Sequence, residues 1–419
     1  MFIICSSGAE PTAQTPADTQ VQRVPKLEEL LQKVNVAALA DQWGPEKAVQ
    51  VYNPTTGMEG CLVIDNTARG PGEGGVRIDP ELTPAELFRL ARTMTWKCAL
   101  ADLPFGGARA CISANPEAID RRKYVKSFAQ AVSPLVPSQW VASPDTNMDD
   151  KDMEVFVEEI GDLRGAAGKP ERMGGIPQEP GAIGYGIGIA IEAALEALGN
   201  VVPTRKQISG MKVAMHGCGS TGTELARFLA KEDFKIVSIS DYRSAIVDPK
   251  GIDISGELIC EGAGGQERPK PRAHSAGLQG ADPLCVDCDI LVVGTKGRAI
   301  TEDDAGRIRA KLVVEAEDHA VGMVEEALFK RGIVVVPDLL ANGGGPIAAY
   351  VEYAGGNADR AFAMIESKTR ENTERVLEGS VKNERMVLPR TVATRIAMDR
   401  VREAMRGPVN VLKPRGGET

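Results

Sequence analysis

Residues 211–241 read MKVAMHGCGSTGTELARFLAKEDFKIVSISD, and they carry the clearest indication of the fold. The apolar run KVAM leads into a turn in which Gly217, Gly219 and Gly222 form the pattern GxGxxG. An amphipathic segment, TELARFLA, follows the turn, and a second apolar run ends at Asp241. GxGxxG alone is a weak signal, but between a strand and a helix it is typical of a dinucleotide-binding βαβ unit.

The same turn predicts how a dinucleotide binds. The glycines permit a tight bend and let a pyrophosphate approach the amino end of the helix. Asp241, 24 residues after Gly217, can accept a hydrogen bond from a ribose hydroxyl, which slightly favours NAD. Arg243 can instead hold the 2′-phosphate of NADP, so the cofactor is NAD or NADP, and a Rossmann fold that binds nothing is the alternative. The cofactor-binding residues predicted in this region are Gly217, Gly219, Ser220, Thr221, Gly222 and Asp241.

The rest of the chain predicts two α/β domains. Further apolar runs, DILVVG, KLVVEAE and GIVVVPDLL, alternate with helical segments, which is typical of a doubly wound parallel sheet. In the first half, Thr83, Pro84 and Glu86 give the start signal of a helix that carries Lys97 near its end. The predicted parts are a disordered tail at 1–25, a first domain at 26–185, a Rossmann domain at 186–350 and helices at 351–419 that pack back on the first domain.

Composition argues against several classes of protein. The 419 residues carry a formal net charge of −9, with an isoelectric point of about 5.2, so there is no basic footprint for nucleic acid. No apolar stretch approaches the ~18 residues of a membrane helix, and no secretory signal opens the chain, so we expect a cytoplasmic protein without a membrane partner. Cys285 and Cys288 form one CxxC without the second pair that a zinc ribbon needs, so no metal site is expected. A thiol redox protein that uses this pair is a distant alternative.

Three segments of the first half carry the residues for chemistry. They are RGPGEGGVR at 69–77, MTWKCALADLPFGGAR at 94–109 and ASPDTN at 142–147. Lys97 and Arg109 supply positive charge for an anion, most simply a carboxylate, and Asp145 supplies a group for proton transfer. The plainer alternatives are a cation at a helix end for Lys97 and a turn residue for Asp145. A dinucleotide domain beside a carboxylate-binding domain indicates a dehydrogenase.

These motifs, in this order, resemble the glutamate/leucine/phenylalanine/valine dehydrogenases, and most closely the glutamate dehydrogenases. The resemblance runs from about residue 45 to the C-terminus and includes NTARGPGEGGVR, SPD, GKPERMGG, AKLVVEAE and PDLLANGGG. It implies a substrate domain, which also takes the C-terminal helices, and a Rossmann domain. It further implies reversible, NAD(P)-dependent oxidative deamination of an L-amino acid to a 2-oxo acid. Glutamate-specific members of the family are usually hexamers.

The resemblance also assigns roles to single residues. Lys97 stands where the family binds the substrate α-carboxylate, and Asp145 stands where an aspartate handles protons at the amino group. Asn342 stands at the contact with substrate and nicotinamide. Ala349 corresponds to a serine that contacts the substrate. Ile183, in place of a threonine, belongs near the nicotinamide.

Several departures from the family pattern fall in the site. Arg109 replaces the catalytic lysine of the family, and a guanidinium stays protonated, so it cannot take a proton from water. Glu73 replaces the lysine that holds the substrate γ-carboxylate. Asp318 replaces an asparagine that contacts the cofactor.

We therefore predict an amino-acid dehydrogenase with a slow step or a shifted specificity. Glu73 either pairs with Arg109 or Lys97, which we favour, or faces a cationic side chain of the substrate. The alternative function is a catalytically impaired paralogue that acts as a regulatory or structural subunit with an active glutamate dehydrogenase.

Overall fold

The computed structural model describes residues 40–176, 181–199, 208–240, 245–254, 283–294, 300–381 and 387–407. The predicted tail at 1–25 and the residues Asp241 and Arg243 lie outside these ranges. The described residues form two compact units, which consist of 40–95 with 104–173 and of 96–103 with 174–407.

The first unit is built on a five-stranded mixed sheet in the order β1-β2-β4-β3-β5. Its strands are β1 (Lys47–Asn53), β2 (Met58–Asn66), β3 (Gly72–Ile78), β4 (Gly106–Ile112) and β5 (Trp140–Pro144). Strands β1, β2 and β4 pair antiparallel, whereas β3 pairs parallel with both β4 and β5. This order places β3 between β4 and β5, so residues at matching positions on the three strands are neighbours.

Three helices accompany this sheet: α1 (Pro84–Leu100), α2 (Arg121–Val132) and α3 (Asp150–Ile160). Helix α1 begins with the predicted capping box, because Thr83 Oγ1 and Glu86 exchange hydrogen bonds with each other's backbone N–H groups. Its last turn, from Trp96 onward, belongs to the second unit. Trp140 is fully buried and packs edge-to-face against Phe128 of α2 and Phe156 of α3, which fastens both helices to the sheet.

The second unit contains a six-stranded sheet in the order β11-β10-β9-β6-β7-β8. Its strands are β6 (Lys212–His216), β7 (Lys235–Ser240), β8 (Ala245–Val247), β9 (Ile290–Val293), β10 (Leu312–Glu315) and β11 (Val334–Val336). All neighbours pair parallel except β7 and β8. Strands β9 and β10 are buried along their whole length, as expected for a parallel sheet. The predicted doubly wound parallel sheet is therefore confirmed.

The helices of the second unit are α4 (Ala182–Gly199), α5 (Ser220–Lys231), α6 (Glu302–Arg307), α7 (Glu325–Lys330), α8 (Asp338–Ala341), α9 (Gly344–Tyr353), α10 (Ala358–Val381) and α11 (Pro389–Arg406). Helix α10 packs along α4, and α11 contacts β11 and α8 within this unit. The packing of the C-terminal helices on the first domain, which the resemblance implies, stays a prediction.

Helix α4 corrects one sequence-based expectation. It is 18 residues long with a mean hydropathy of 1.4, so by length and composition alone it could cross a membrane. The expectation that no segment reaches this length was wrong. Half of the helix is buried inside the unit, where it packs against α5 and α10, as a core helix does.

Candidate active site

The glycine-rich turn has the shape that a dinucleotide requires. Strand β6 ends at His216, and Gly217 has φ +116°, which favours glycine. Gly219 is the N-cap of α5, and a Cβ built on it meets nothing within 4 Å. A Cβ on Gly222 would lie 2.8 Å from the carbonyl oxygen of Gly217, so helix and turn pack too closely for a side chain. The turn thus leaves an open approach to the amino end of α5, and it fits a pyrophosphate.

Three further residues that the sequence assigns to the cofactor, Ser220, Thr221 and Ile183, lie in the first turns of helices α5 and α4. Ser220 and Thr221 open α5 directly after Gly219, so their backbone N–H groups are among the first of that helix. Ile183 is half-buried in the first turn of α4, and its Cγ1 would lie 3.3 Å from a Cβ on Gly345.

Asn342 offers a buried acceptor in the same unit. Its Nδ2 donates to the carbonyl oxygen of Ala316 at 3.2 Å, just beyond strand β10. Its Oδ1 is buried without a hydrogen-bond partner among the residues that the structure describes. A buried acceptor without a donor is costly, so this oxygen fits an N–H donor of a ligand, such as a carboxamide. Ala349 lies on α9 and is buried, and its methyl group cannot donate the hydrogen bond of a serine.

A salt bridge joins Lys97 to Asp318. The Nζ atom of Lys97, in the last turn of α1, lies 2.5 Å from Oδ1 of Asp318. The two side chains are only 6% and 14% exposed. Both residues belong to the second unit, although they are 221 positions apart. The cation proposed to bind a substrate carboxylate therefore already contacts a carboxylate of its own chain.

A buried ionic cluster fixes the strand that leads to Asp318. Glu315, at the end of β10, accepts hydrogen bonds from the backbone N–H groups of Val321 at 2.7 Å and Asp338 at 2.9 Å. Arg390 of α11 contacts Glu315 and lies 2.6 Å from the Asp338 carboxylate and 2.7 Å from that of Glu325. Burial, and then the negative charge of Asp338, raise the pKa of Glu315 to about 7.

In the first unit, Asp145 lies between two guanidinium groups. Its Oδ2 is 2.5 Å from Nε of Arg77 and 2.8 Å from Nη1 of Arg109, and all three side chains are 10–15% exposed. Arg77 and Arg109 come from the adjacent parallel strands β3 and β4, and Asp145 directly follows β5. Gly75 makes room for them, because a Cβ there would lie 2.7 Å from the Cβ of Asp145. Two fixed cations stabilise the anionic carboxylate.

Glu73 lies on β3 in the same unit. It is 2% exposed, and its Oε1 accepts a hydrogen bond of 2.8 Å from the hydroxyl of Ser143 on β5. Ser143 thus replaces water as a donor to this buried carboxylate. The pairing of Glu73 with Arg109 or Lys97 stays a prediction.

Two family models match the chain. The model of the glutamate/leucine/phenylalanine/valine dehydrogenases matches residues 174–407, and that of the dimerisation domain of the Glu/Leu/Phe/Val dehydrogenases matches residues 45–162. The chain belongs to this family. The resemblance inferred from the motifs is thereby confirmed, and so is the expectation of an NAD(P)-dependent amino-acid dehydrogenase at the level of the family.

Individual relatives agree with this assignment. The chain is 34% identical over 393 residues to the NADP(+)-dependent glutamate dehydrogenase of Pyrobaculum calidifontis. The matched region covers 86% of this chain and 91% of that protein. It is 33% identical to a glutamate dehydrogenase of Aeropyrum pernix, with 81% of this chain and 84% of the relative covered. The fold matches the leucine-bound hetero-hexameric glutamate dehydrogenase of Thermus thermophilus with a TM-score of 0.76 and 24% identity, over 91% of this chain and 95% of the other.

The site residues predicted from the sequence lie in both units of the structure. Glu73, Arg109 and Asp145 lie in the first unit, where Arg109 contacts Asp145. The residues found in the second unit are Lys97, Ile183, Gly217, Gly219, Ser220, Thr221, Gly222, Asp318, Asn342 and Ala349. Asp241 lies outside the described residues, so its role in binding ribose stays a prediction.

Sequence reasoning missed two polar residues of the site, Arg77 and Ser143. Both stand inside the motifs GPGEGGVR and ASPDTN, which predict roles for Glu73 and Asp145 but not for Arg77 or Ser143. The signal in the sequence was only that Arg77 lies four residues after Glu73 and Ser143 two residues before Asp145, because their contacts follow from the parallel pairing of the strands.

The thiol alternative is weakened by burial. Burial raises the pKa of Cys288 to about 12, which makes this thiol a poor nucleophile at neutral pH. Among the described residues, no group of three or more His, Cys, Asp and Glu side chains could hold a metal ion.

Proposed function

We propose that the chain catalyses reversible, NAD(P)-dependent oxidative deamination of an L-amino acid to a 2-oxo acid and ammonia, with a slow acid–base step and a specificity shifted away from glutamate. The observation that carries this proposal is the contact of Arg109 with Asp145 at 2.8 Å, at the position of the catalytic lysine of the family. The nicotinamide cofactor, when bound, supplies the hydride acceptor.

The remaining residues have the chemistry for binding and proton transfer. Lys97 holds the α-carboxylate through its ammonium group, and Asp145 exchanges protons at the amino group. The buried Oδ1 of Asn342 accepts a hydrogen bond from the substrate or the cofactor. Gly217, Gly219, Ser220, Thr221 and Gly222 receive the pyrophosphate, and Ile183 lies near the nicotinamide.

Arg109 makes the acid–base step slow for two reasons. Its guanidinium stays protonated, so it cannot act as a base, and the loss of general-base help typically costs roughly 10²–10⁴ in rate. It also holds Asp145 in a salt bridge together with Arg77, so this carboxylate is already engaged within the chain.

Glu73 shifts the specificity. A buried carboxylate repels the γ-carboxylate of glutamate, and this repulsion is stronger in a protein interior than in water. A substrate with an apolar or a cationic side chain avoids the repulsion. Ala349 removes a hydroxyl donor, which also disfavours an acidic substrate side chain.

A catalytically impaired subunit is the second candidate function. The observation that favours it is that both cations expected to serve the reaction contact carboxylates of the chain itself, Lys97 with Asp318 and Arg109 with Asp145. In this case the chain would act as a regulatory or structural subunit with an active relative. The relative from Thermus thermophilus is described as hetero-hexameric, and we propose a hexamer for this chain, of one kind of subunit or two.

Turnover by the purified chain separates the two functions. NADH and NADPH formation is followed with a panel of L-amino acids for the unaltered protein, Arg109→Lys and Glu73→Lys/Arg109→Lys. Turnover by the unaltered chain rejects the impaired-subunit function. No turnover by it, together with glutamate oxidation by the double variant, rejects the proposed enzyme activity.

The cofactor preference is a separate proposal. A ribose contact of Asp241 favours NAD, whereas two relatives are named as NADP-dependent enzymes. Titration calorimetry with NADH and NADPH decides between them, and tighter NADPH binding would bring Arg243 forward. We also propose a cytoplasmic location without a membrane partner, and the domain limits 26–185, 186–350 and 351–419.

A further inference from the structure

Lys97 and Asp318 form a salt bridge that the resemblance to the family does not predict. The resemblance implies that Lys97 binds the substrate and that the residue at position 318 contacts the cofactor, but the two side chains lie 2.5 Å apart. We propose that Asp318 lowers the affinity of the site for substrate, because it occupies Lys97 as an internal carboxylate with which a substrate carboxylate must compete. This inference rests on the proposed role of Lys97 as the carboxylate anchor.

Backbone hydrogen bonds on both sides of Asp318 fix its position. The backbone N–H of Ala316 donates to the carbonyl of Val293 at 2.8 Å, and the carbonyl of Ala316 accepts from Asn342 at 3.2 Å. On the other side, the backbone N–H of Val321 donates to Glu315 at 2.7 Å. Hydrogen bonds on both sides of Asp318 therefore hold its backbone near Lys97.

Burial makes the competition strong. The side chain of Lys97 is 6% exposed and that of Asp318 is 14% exposed, so water screens their attraction little. A second carboxylate beside Lys97 would meet the negative charge of Asp318 at close range. If the ligand displaces Asp318 instead, this mostly buried carboxylate loses its salt bridge with Lys97. Either route costs binding free energy that an asparagine at this position would not cost.

If Asp318 competes with the substrate carboxylate, the charge of its side chain should affect substrate affinity more than the shape of the side chain does. Asp318→Asn keeps the size of the side chain and removes the charge, whereas Asp318→Glu keeps the charge. The matched control is Asp303→Asn, which removes the same charge from an exposed position of the same unit.

The test is a binding experiment on the full chain with saturating NADH or NADPH. Titration calorimetry measures the Kd of the 2-oxo acids that correspond to leucine, phenylalanine and valine, and of their methyl esters. These acids carry a single carboxylate, so repulsion by Glu73 does not enter. We expect Asp318→Asn to bind the acids about tenfold more tightly or better than the unaltered protein. Asp318→Glu and Asp303→Asn should not, and the esters should bind equally to all four proteins.

Other results overturn the proposal. An unchanged or weaker affinity of Asp318→Asn for the acids rejects it, and the proposed enzyme activity survives if the unaltered protein still turns over amino acids. Equal tightening for acids and esters shows a structural role of Asp318 and also rejects the internal carboxylate. Absence of binding by all four proteins, with no turnover of amino acids, rejects this proposal and the proposed function together.

Discussion

Asp145 accepts a hydrogen bond of 2.5 Å from Nε of Arg77 and lies 2.8 Å from a guanidinium nitrogen of Arg109. In the family to which this chain belongs, the place of Arg109 is held by a lysine that can lose its proton. Here the group is a permanent cation, and it is bonded to the carboxylate that should exchange protons. Under the proposed function, the site would therefore keep its positive charge and lose a base, and Asp145 contacts two arginines.

Removal of Arg77 should destabilise the first unit. Arg77→Met leaves the mostly buried Asp145 with one cation instead of two, and we expect the free energy of unfolding to fall by about 1–3 kcal/mol. Arg122→Met is the matched control, because the pair of Arg122 with Glu158 is exposed and 3.4 Å long and should contribute about 0–1 kcal/mol. Urea unfolding measures both variants. Equal effects of the two substitutions would show that Arg77 does not hold Asp145.

A methyl group at Gly75 should disturb the same contact. In Gly75→Ala the new Cβ would lie 2.7 Å from Cβ of Asp145 and 2.9 Å from Nη1 of Arg109, so one of them must move. We expect a loss of about 1–3 kcal/mol of stability and a lower kcat in any reaction that uses Asp145. Gly306→Ala is the control, since a Cβ there meets nothing within 4 Å. A Gly75→Ala protein as stable and active as Gly306→Ala would contradict this close packing around Gly75.

A methyl group at Gly222, in the glycine-rich turn of the second unit, should weaken binding of the cofactor. In Gly222→Ala the new Cβ would lie 2.8 Å from the carbonyl oxygen of Gly217 and would push the turn away from helix α5. A displacement of this kind costs about 1–3 kcal/mol, so NADH and NADPH should both bind about tenfold more weakly or worse. Fluorescence titration checks this, with Gly199→Ala as control because that position is open. Unchanged Kd values for NADH and NADPH would show that the turn from Gly217 to Gly222 does not bind the cofactor.

Local signals were sufficient to predict much of the fold. The capping box of Thr83 and Glu86 and the turn from Gly217 to Gly222 depend on residues within a few positions of one another, so the sequence contains the whole pattern. Alternation of short apolar runs with helices likewise predicts a parallel sheet without knowledge of tertiary contacts.

Contacts between distant residues were not predictable in this way. Lys97 and Asp318 are 221 positions apart, and nothing in either neighbourhood marks them as partners. Arg77 and Ser143 escaped for a related reason, because their roles follow from the strand order β4-β3-β5, in which strands far apart in sequence pair in parallel. A motif shows which residues are present, but the strand order decides which of them touch.

The ionic cluster of Glu315 has a definite dependence on pH. Burial raises the pKa of Glu315 from 4.5 to about 7, so between these values the folded chain binds more protons at this residue than the unfolded chain. Its contribution to stability is therefore fully present below about pH 4.5 and is lost as the pH rises through about 7.

Glu315→Gln should remove this dependence, because an amide does not titrate. Relative to Glu315→Gln, the free energy of unfolding of the unaltered protein should fall by up to about 3 kcal/mol between pH 5 and pH 8. Urea unfolding at closely spaced pH values measures the difference. Glu302→Gln, at an exposed position on α6, serves as the control, and its difference from the unaltered protein should stay constant. If the Glu315→Gln difference is also constant, the carboxylate of Glu315 is ionised throughout, and Arg390 outweighs the effect of burial.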